Sequence, residues 1–282
     1  MSLPPAQWID LPTGRASFLD TGPGHAGDPV LLLHGGGIDR ALLSWRLLFP
    51  ELAATHRVIA PDWPGYGGSV AFGRPYRISD LGAWLTAFMD ATGIARAAMV
   101  GVSMGGGAAL WMALHRPDRV TRIVPVATYG IADRAPLHEL TWLLARTPLN
   151  RWSFDLLRQR PGQLKKALSR IFKDPGRITP ALLGEVAAVL DEGADGQVFA
   201  NFMRGETRRS HLVTALSREV AAIANPTLFI HGDADRLVPV AAVKQAASTM
   251  PNARIEIMSA GHWPMRECPE PFNGLVTRFL AQ

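Results

Sequence analysis

The stretch GVSMGGG, residues 101–107, places four glycines around one serine. It follows the apolar run AAMV and precedes AALWMALH, which has the composition of a helix. An apolar run that passes directly into a helical pattern predicts a strand, a sharp turn and a helix. In such a turn the residues two positions before and after the serine must lack side chains to avoid a collision, which explains Gly101 and Gly105. The pattern therefore predicts that Ser103 stands on a strained turn at the end of a strand.

A serine in this position has the surroundings of a nucleophile. The helix that begins near Met104 presents unpaired N–H groups and the positive end of its dipole, which favour negative charge beside Ser103. A neutral hydroxyl is a weak nucleophile, so it needs a general base that is itself oriented by an acid. We predict His262, in SAGHWP, as the base and Asp235, in FIHGDADRLVP, as the acid. Asp233 in the same loop is the alternative acid.

A second glycine-rich turn, in LLLHGGGID, follows another apolar run. By its position we predict that the backbone N–H groups of Gly36 and Met104 bind the oxyanion, with Gly37 as the alternative to Gly36. One such donor contributes roughly 3 to 4 kcal/mol in the transition state. Gly37 and Trp263 are also predicted to contact the substrate, although packing is the alternative role of Trp263.

Short apolar runs alternate with helical patterns along most of the chain. The runs are VLLLH, RVIAP, AAMVGV, RIVPVA, TLFIHG and RIEIM. Runs without polar alternation are typical of strands covered on both faces, so the alternation predicts an α/β fold with a mostly parallel sheet and right-handed crossovers. Near the N-terminus QWIDL and RASFLD, separated by PTG, predict an antiparallel hairpin attached to one edge of the sheet.

The alternation stops between about residues 130 and 222, where amphipathic helices replace the strands. In one of them a stripe is formed by Leu164, Leu168, Ile171 and Phe172. The next helix is predicted to start at Thr179 and Pro180, an N-cap residue followed by a proline at the first helical position. We therefore predict a core of residues 1–129 and 223–282, with a helical cap formed by residues 130–222.

With these residues in place, the chain resembles the α/β-hydrolase superfamily, specifically the branch of capped hydrolases that act on small molecules. The resemblance covers nearly the whole chain and rests on five motifs in order. They are HGGG after a strand, PDWPGYGGS, GVSMGG, HGDADRLVP and AGHWP. The order Ser, Asp, His along the chain is the order of that superfamily.

The resemblance implies a serine hydrolase that cleaves a small ester, thioester or lactone through an acyl-enzyme. The alternative within the fold is a carbon-carbon bond hydrolase of aromatic ring-cleavage products, but such enzymes typically have Asn before the nucleophile, where this chain has Val102. A second alternative is a ligand-binding receptor that has kept the fold without catalysis.

Composition narrows the remaining classes of function. The net charge is +5, but the sequence contains none of the usual motifs of nucleic-acid binding. No apolar stretch has the length that spans a membrane. The sequence GPGHAG at 22–27 precedes a strand instead of following one, so no nucleotide cofactor is predicted. His34, His231 and His262 lack metal-ligand spacing, so we predict no metal. We expect a small-molecule substrate, neither nucleic acid nor membrane as a partner, and, from the single Cys268, a cytoplasmic location; the oligomeric state stays open.

Overall fold

A computed structural model describes residues 3–25, 27–194 and 196–282 of the chain. They form one eight-stranded sheet in the order β1-β2-β4-β3-β5-β6-β7-β8. The N-terminal hairpin is antiparallel and joins β4 at one edge, and the remaining neighbours are parallel. This confirms the α/β class and the edge hairpin. The strands are β1 Gln7–Leu11, β2 Gly14–Asp20, β3 Val30–Leu33, β4 Val58–Pro61, β5 Ala97–Val102, β6 Val120–Val126, β7 Thr227–Gly232 and β8 Ala253–Met258.

The central strand-forming runs are buried because helices cover both faces of the sheet. The run RIEIM is the exception: it forms the edge strand β8, where Arg254, Glu256 and Ile257 are exposed, so the expectation of a strand covered on both faces was wrong there. Every residue of β3, β4, β5 and β7 is buried. Two apolar layers, one on each face, enclose the central strands. The helices are α1 Ala41–Trp45, α2 Phe49–Leu52, α3 Ile78–Ala91, α4 Met104–His115, α5 His138–Leu144, α6 Leu149–Gln159, α7 Pro161–Leu168, α8 Pro180–Asp191, α9 Gln197–Glu206, α10 Val240–Thr249, α11 Pro264–Glu267 and α12 Pro269–Leu280.

The predicted cap segment contains five of these helices, α5 to α9. Among the described residues of 130–222 there is no strand, only one isolated β-bridge between Thr207 and Leu212. Helix α6 packs on α7, α8 and α9, and α5 also packs on α9. Helix α8 begins as predicted, because the Thr179 side chain accepts a hydrogen bond of 3.1 Å from the Leu182 N–H.

One predicted cap helix is shorter than its apolar stripe. Helix α7 ends at Leu168, so Ile171 and Phe172 lie beyond it in a turn, and the prediction of one continuous helix was wrong. Phe172 is nevertheless buried at 2% exposure. The backbone leaves the helix because the Ile171 carbonyl accepts a hydrogen bond of 2.7 Å from the N–H of His262, a contact that the local sequence does not show.

Candidate active site

Ser103 lies between β5 and α4 in the conformation that the glycines predict. Its φ of 51° is in the left-handed region, which is rare for a residue with a side chain. A Cβ on Gly101 would lie 2.3 Å from the carbonyl oxygen of Gly105, and a Cβ on Gly105 would lie 2.2 Å from that of Leu33. Both glycines are therefore required because backbone occupies the space of a side chain.

The turn that carries Ser103 is held by the neighbouring strand. The Ser103 N–H donates to the Val126 carbonyl at 2.9 Å, and the Ser103 carbonyl accepts from the Tyr129 N–H at 3.0 Å. Both partners belong to β6 or to the loop after it. These bonds fix the strained serine at the carboxyl edge of the sheet, where α/β folds bind ligands.

Asp235 follows β7 and is hydrogen-bonded to His262, the predicted base, at that edge. Its Oδ2 accepts a hydrogen bond of 2.8 Å from Nδ1 of His262, and its side chain is fully buried. Its Oδ1 accepts from the N–H groups of Leu237 at 2.8 Å and Val238 at 3.1 Å. Burial raises the pKa of Asp235, but the hydrogen bond and charge of His262 and the two backbone donors outweigh it, so the pKa is lowered. The carboxylate therefore stays ionised beside the imidazole.

The alternative acid, Asp233, points elsewhere. Its Oδ2 accepts from Nζ of Lys173 at 2.6 Å, and its side chain is 42% exposed. No hydrogen bond between Asp233 and His262 is present among the described residues. The structure thus separates two carboxylates that the sequence left as alternatives.

His262 follows β8 and is 5% exposed. Because its Nδ1 donates to Asp235, its Nε2 is the nitrogen left to accept a proton. Within the described part of the chain no hydrogen bond joins the Ser103 hydroxyl to this ring. Such bonds are often long in ligand-free enzymes and shorten when the substrate is bound.

Two of the three glycines in the loop after β3 already use their backbone N–H groups in hydrogen bonds. The Gly35 N–H donates to Asp39 at 2.8 Å, and the Gly37 N–H donates to the Tyr66 hydroxyl at 3.3 Å. The N–H groups of Gly36 and Met104 make no hydrogen bond to any described residue. Of the two predicted alternatives, Gly36 is thus the one whose N–H is unpaired among the described residues.

Two buried side chains shape that loop, and the sequence analysis missed one of them. Asp39 accepts hydrogen bonds from Gly35 and Ser44 and is 1% exposed, and burial raises its pKa. His34 accepts from the Trp63 N–H at 3.0 Å, and burial lowers its pKa. The signal for Asp39 was its place four residues after Gly35, within bonding reach of the turn.

A cavity of about 100 Å³ lies beside the loop after β3 and is lined by residues of the predicted core and of the predicted cap. Phe199 lines this cavity and lies against Gly36, because a Cβ on Gly36 would lie 2.9 Å from the Phe199 ring. Gly37 lines this cavity, whereas Trp263 is 5% exposed and packs in an apolar core layer. The other lining residues are Asp39, Arg40, Gly65, Tyr66, Gly67, Phe154, Val189, Glu192, Gly193, Ala194, Gly196 and Val198.

Two further findings concern the described residues as a whole. They contain no group of three or more His, Cys, Asp or Glu side chains arranged to hold a metal ion. None of their helices has both the length and the apolar character needed to cross a bilayer.

Comparison with known proteins gives several relatives. The 2-hydroxymuconate semialdehyde hydrolase of Pseudomonas sp. (strain CF600) is 30% identical over 276 residues, which cover 95% of this chain and 91% of the relative. The 2-hydroxy-6-oxo-2,4-heptadienoate hydrolase of Pseudomonas putida is 27% identical over 260 residues, covering 91% of this chain and 90% of the relative. Both relatives are named as hydrolases.

The fold itself is shared with solved structures. The enol-lactonase from Burkholderia xenovorans LB400 superposes with a TM-score of 0.81 at 24% identity, covering 98% of this chain and all 100% of that one. A family model described as the α/β hydrolase fold matches residues 28–267. The resemblance drawn from the five sequence motifs is confirmed, and the chain belongs to the α/β-hydrolase fold family and is a hydrolase.

Proposed function

We propose that this chain is a serine hydrolase that cleaves a small-molecule carboxylic ester, thioester or lactone through an acyl-enzyme. The observation that carries the proposal is the 2.8 Å hydrogen bond between Asp235 and His262, at the sheet edge that also carries the strained Ser103. A base with a buried, ionised partner and a serine on a strand-to-helix turn are the parts that acyl transfer requires.

In the first half-reaction His262 Nε2 takes the proton of the Ser103 hydroxyl while Oγ attacks the substrate carbonyl carbon. The oxyanion of the tetrahedral intermediate accepts hydrogen bonds from the N–H groups of Gly36 and Met104. Asp235 holds the ring in the tautomer with a proton on Nδ1 and stabilises the imidazolium. The intermediate collapses, the carbon–oxygen or carbon–sulfur bond breaks, and His262 returns the proton to the leaving group.

In the second half-reaction His262 takes a proton from water, and the hydroxide attacks the acyl carbon. The same two N–H groups stabilise the second oxyanion. Collapse breaks the bond to Ser103 Oγ, and His262 gives the proton back to the serine. The carboxylic acid leaves, and the enzyme is restored without any cofactor in the proposed cycle.

Carbon-carbon bond hydrolysis is the second candidate, because both curated relatives described above are named for substrates of that kind. There the leaving group is carbon, so the substrate must stabilise the departing electron pair as an enolate. Val102, in place of the expected Asn, argues against this candidate. A third possibility is a binding protein without turnover, and the experiment below distinguishes it from an enzyme.

The decisive experiment is intact-mass measurement after incubation with a fluorophosphonate, together with p-nitrophenyl acetate turnover, for the wild type and Ser103→Ala. We expect one adduct that maps to Ser103 and a loss of turnover on the order of a millionfold in the variant. No adduct and no turnover in the wild type would contradict the proposal and favour a binding protein.

The substrate class is then identified by comparing kcat/KM values between substrates. Wild-type kcat/KM should be measured for short p-nitrophenyl esters, an enol-lactone and 2-hydroxymuconate semialdehyde. The proposal expects the ester or the lactone to have the highest value. A higher value for the semialdehyde, lost in Ser103→Ala, would establish the second candidate in its place.

A further inference from the structure

Glu267 is a buried carboxylate outside the proposed triad, with 2% exposure. It ends α11, five residues after the proposed base. Its Oε2 accepts hydrogen bonds from the N–H of Gly261 at 2.7 Å and from that of Lys173 at 3.1 Å. Its Oε1 accepts from the N–H of Asp174 at 2.7 Å. One carboxylate thus joins the loop that carries the base to a segment of the predicted cap.

The two segments also touch directly. The N–H of His262 donates to the carbonyl of Ile171 at 2.7 Å. A Cβ on Gly261 would lie 2.1 Å from the same oxygen, so the two backbones are in contact. Nζ of Lys173 adds bonds to Asp233 at 2.6 Å and to Ser259 at 2.9 Å, although these are exposed. The loop that carries His262 is therefore held by the chain segment 171–174 as well as by its connection to β8.

We propose that Glu267 is a positioning residue for the base and couples the geometry of His262 to the cap segment 171–174. This rests on the proposed function, in which His262 is the general base. The segment 171–174 leaves helix α7 early and supplies one carbonyl and two N–H groups to this junction. A cap that moved as a separate lid would break these bonds, so the cap segment moves together with the base.

The chemistry of the junction requires a carboxylate. Both oxygens of Glu267 accept hydrogen bonds, and all three donors are backbone N–H groups. Glutamine has nearly the same shape, but one of its two terminal groups is an NH₂ that donates and cannot accept. Glu267→Gln therefore leaves at least one of the three N–H groups without its acceptor and places an NH₂ donor against it.

Glu206 offers a matched control at another contact between the predicted core and cap. It is fully buried, and its carboxylate accepts the backbone N–H of Ile78 at 2.7 Å and of Thr214 at 2.9 Å. It has no bond to the Ser103, Asp235 or His262 loops in the described structure. Glu206→Gln is thus the same substitution in the same kind of environment, away from the base.

The experiment compares wild type, Glu267→Gln and Glu206→Gln by thermal unfolding, by kcat and KM on p-nitrophenyl acetate, by the rate of fluorophosphonate labelling, and by the NMR signal of the His262 Nδ1–H. We expect Glu267→Gln to lower kcat and the labelling rate by up to about 100-fold, because misplacement of a reacting group by about 1 Å costs that much. KM should stay unchanged, and the Nδ1–H signal should shift or broaden. Glu206→Gln should lower the melting temperature alone.

A Glu267→Gln variant that melts earlier but keeps wild-type kcat and the Nδ1–H signal would overturn the proposal. If the wild type shows no turnover and no labelling, the proposed function fails, but the Nδ1–H signal still tests whether Glu267 positions the ring. If the variant does not fold, amide hydrogen exchange in the wild type tests the coupling. The amides of Gly261, Lys173 and Asp174 should then exchange in one concerted opening. Exchange of the Gly261 amide independent of the other two would overturn the coupling.

Discussion

Asp235 and His262 are 27 residues apart in the chain, yet Oδ2 and Nδ1 are 2.8 Å apart in the structure. The two loops that carry them lie side by side, because a Cβ on Gly232 would meet the Gly261 carbonyl oxygen at 2.0 Å. On the other side of the same carboxylate, Nε2 of His231 lies 3.5 Å from Oδ2 and donates to the Val238 carbonyl at 3.0 Å. The Asp235 carboxylate thus lies between the imidazole rings of His231 and His262.

Replacing the proposed acid tests its role. Asp235→Asn should lower kcat about ten-thousandfold, because an amide no longer holds the tautomer of His262 that accepts the serine proton. Asp233→Asn is the matched control and should keep nearly full activity, because Asp233 is bonded to Lys173 at the surface. The measurement is kcat on p-nitrophenyl acetate. The opposite result, with Asp233→Asn inactive, would show that the acid is wrongly assigned.

The glycines of the turn test the steric argument. Gly105→Ala should lower the free energy of unfolding by about 1 to 3 kcal/mol, because its Cβ would lie 2.2 Å from a backbone carbonyl. Gly184→Ala is the control: it lies in α8, where nothing is within 4 Å of a new Cβ, and should stabilise the protein by about 0.5 to 1 kcal/mol. Urea unfolding measures both, and equal effects would refute the steric explanation.

The buried His231 predicts a pH dependence of stability. Burial lowers its pKa from the usual 6.5, so the unfolded chain binds a proton that the folded protein does not. Its contribution to stability is complete above about pH 6.5 and is lost as the pH falls towards the lowered pKa.

His231→Gln removes this titration and keeps a donor for the Val238 carbonyl. Between pH 7 and 5.5 the wild type should lose more unfolding free energy than the variant, by up to about 1.4 kcal/mol per pH unit. Comparing the variant with the wild type cancels the opposite effect of Asp39 and Glu206, whose pKa values burial raises. Urea titrations at each pH measure the difference, and parallel curves would contradict the prediction.

The cavity beside Gly36 predicts a limit on acyl size. Its volume of about 100 Å³ suits short groups, and Phe199 lines it and lies against Gly36, a predicted oxyanion donor. Phe199→Ala should therefore shift the preference in kcat/KM towards longer acyl chains in a series of p-nitrophenyl esters. Leu156→Ala, at a cap position that is 45% exposed and does not line the cavity, should leave the series unchanged. An unaltered acyl-chain preference in Phe199→Ala would show that the acyl group binds outside this cavity.

Local patterns were enough to predict the centre of the sheet because its central strands are covered on both faces. An uninterrupted apolar run such as VLLL at Val30–Leu33 has few alternatives to a buried strand. The turn at Ser103 was also predictable, since glycine two residues on each side is a local steric requirement. The end of α7 was not, because the early exit at Leu168 depends on a carbonyl of the cap bonding to the base, 91 residues further along.

The sequence by itself determined the fold class, the strained serine and the two loops that carry the proposed acid and base. Only the tertiary structure shows that Asp235, the predicted acid, faces His262, whereas its alternative Asp233 faces Lys173. It also revealed the junction at Glu267, whose partners Gly261 and Asp174 are far apart in the chain. The reason is physical: strand and turn preferences act over a few residues, whereas hydrogen-bond partners of buried groups are set by which distant segments pack together.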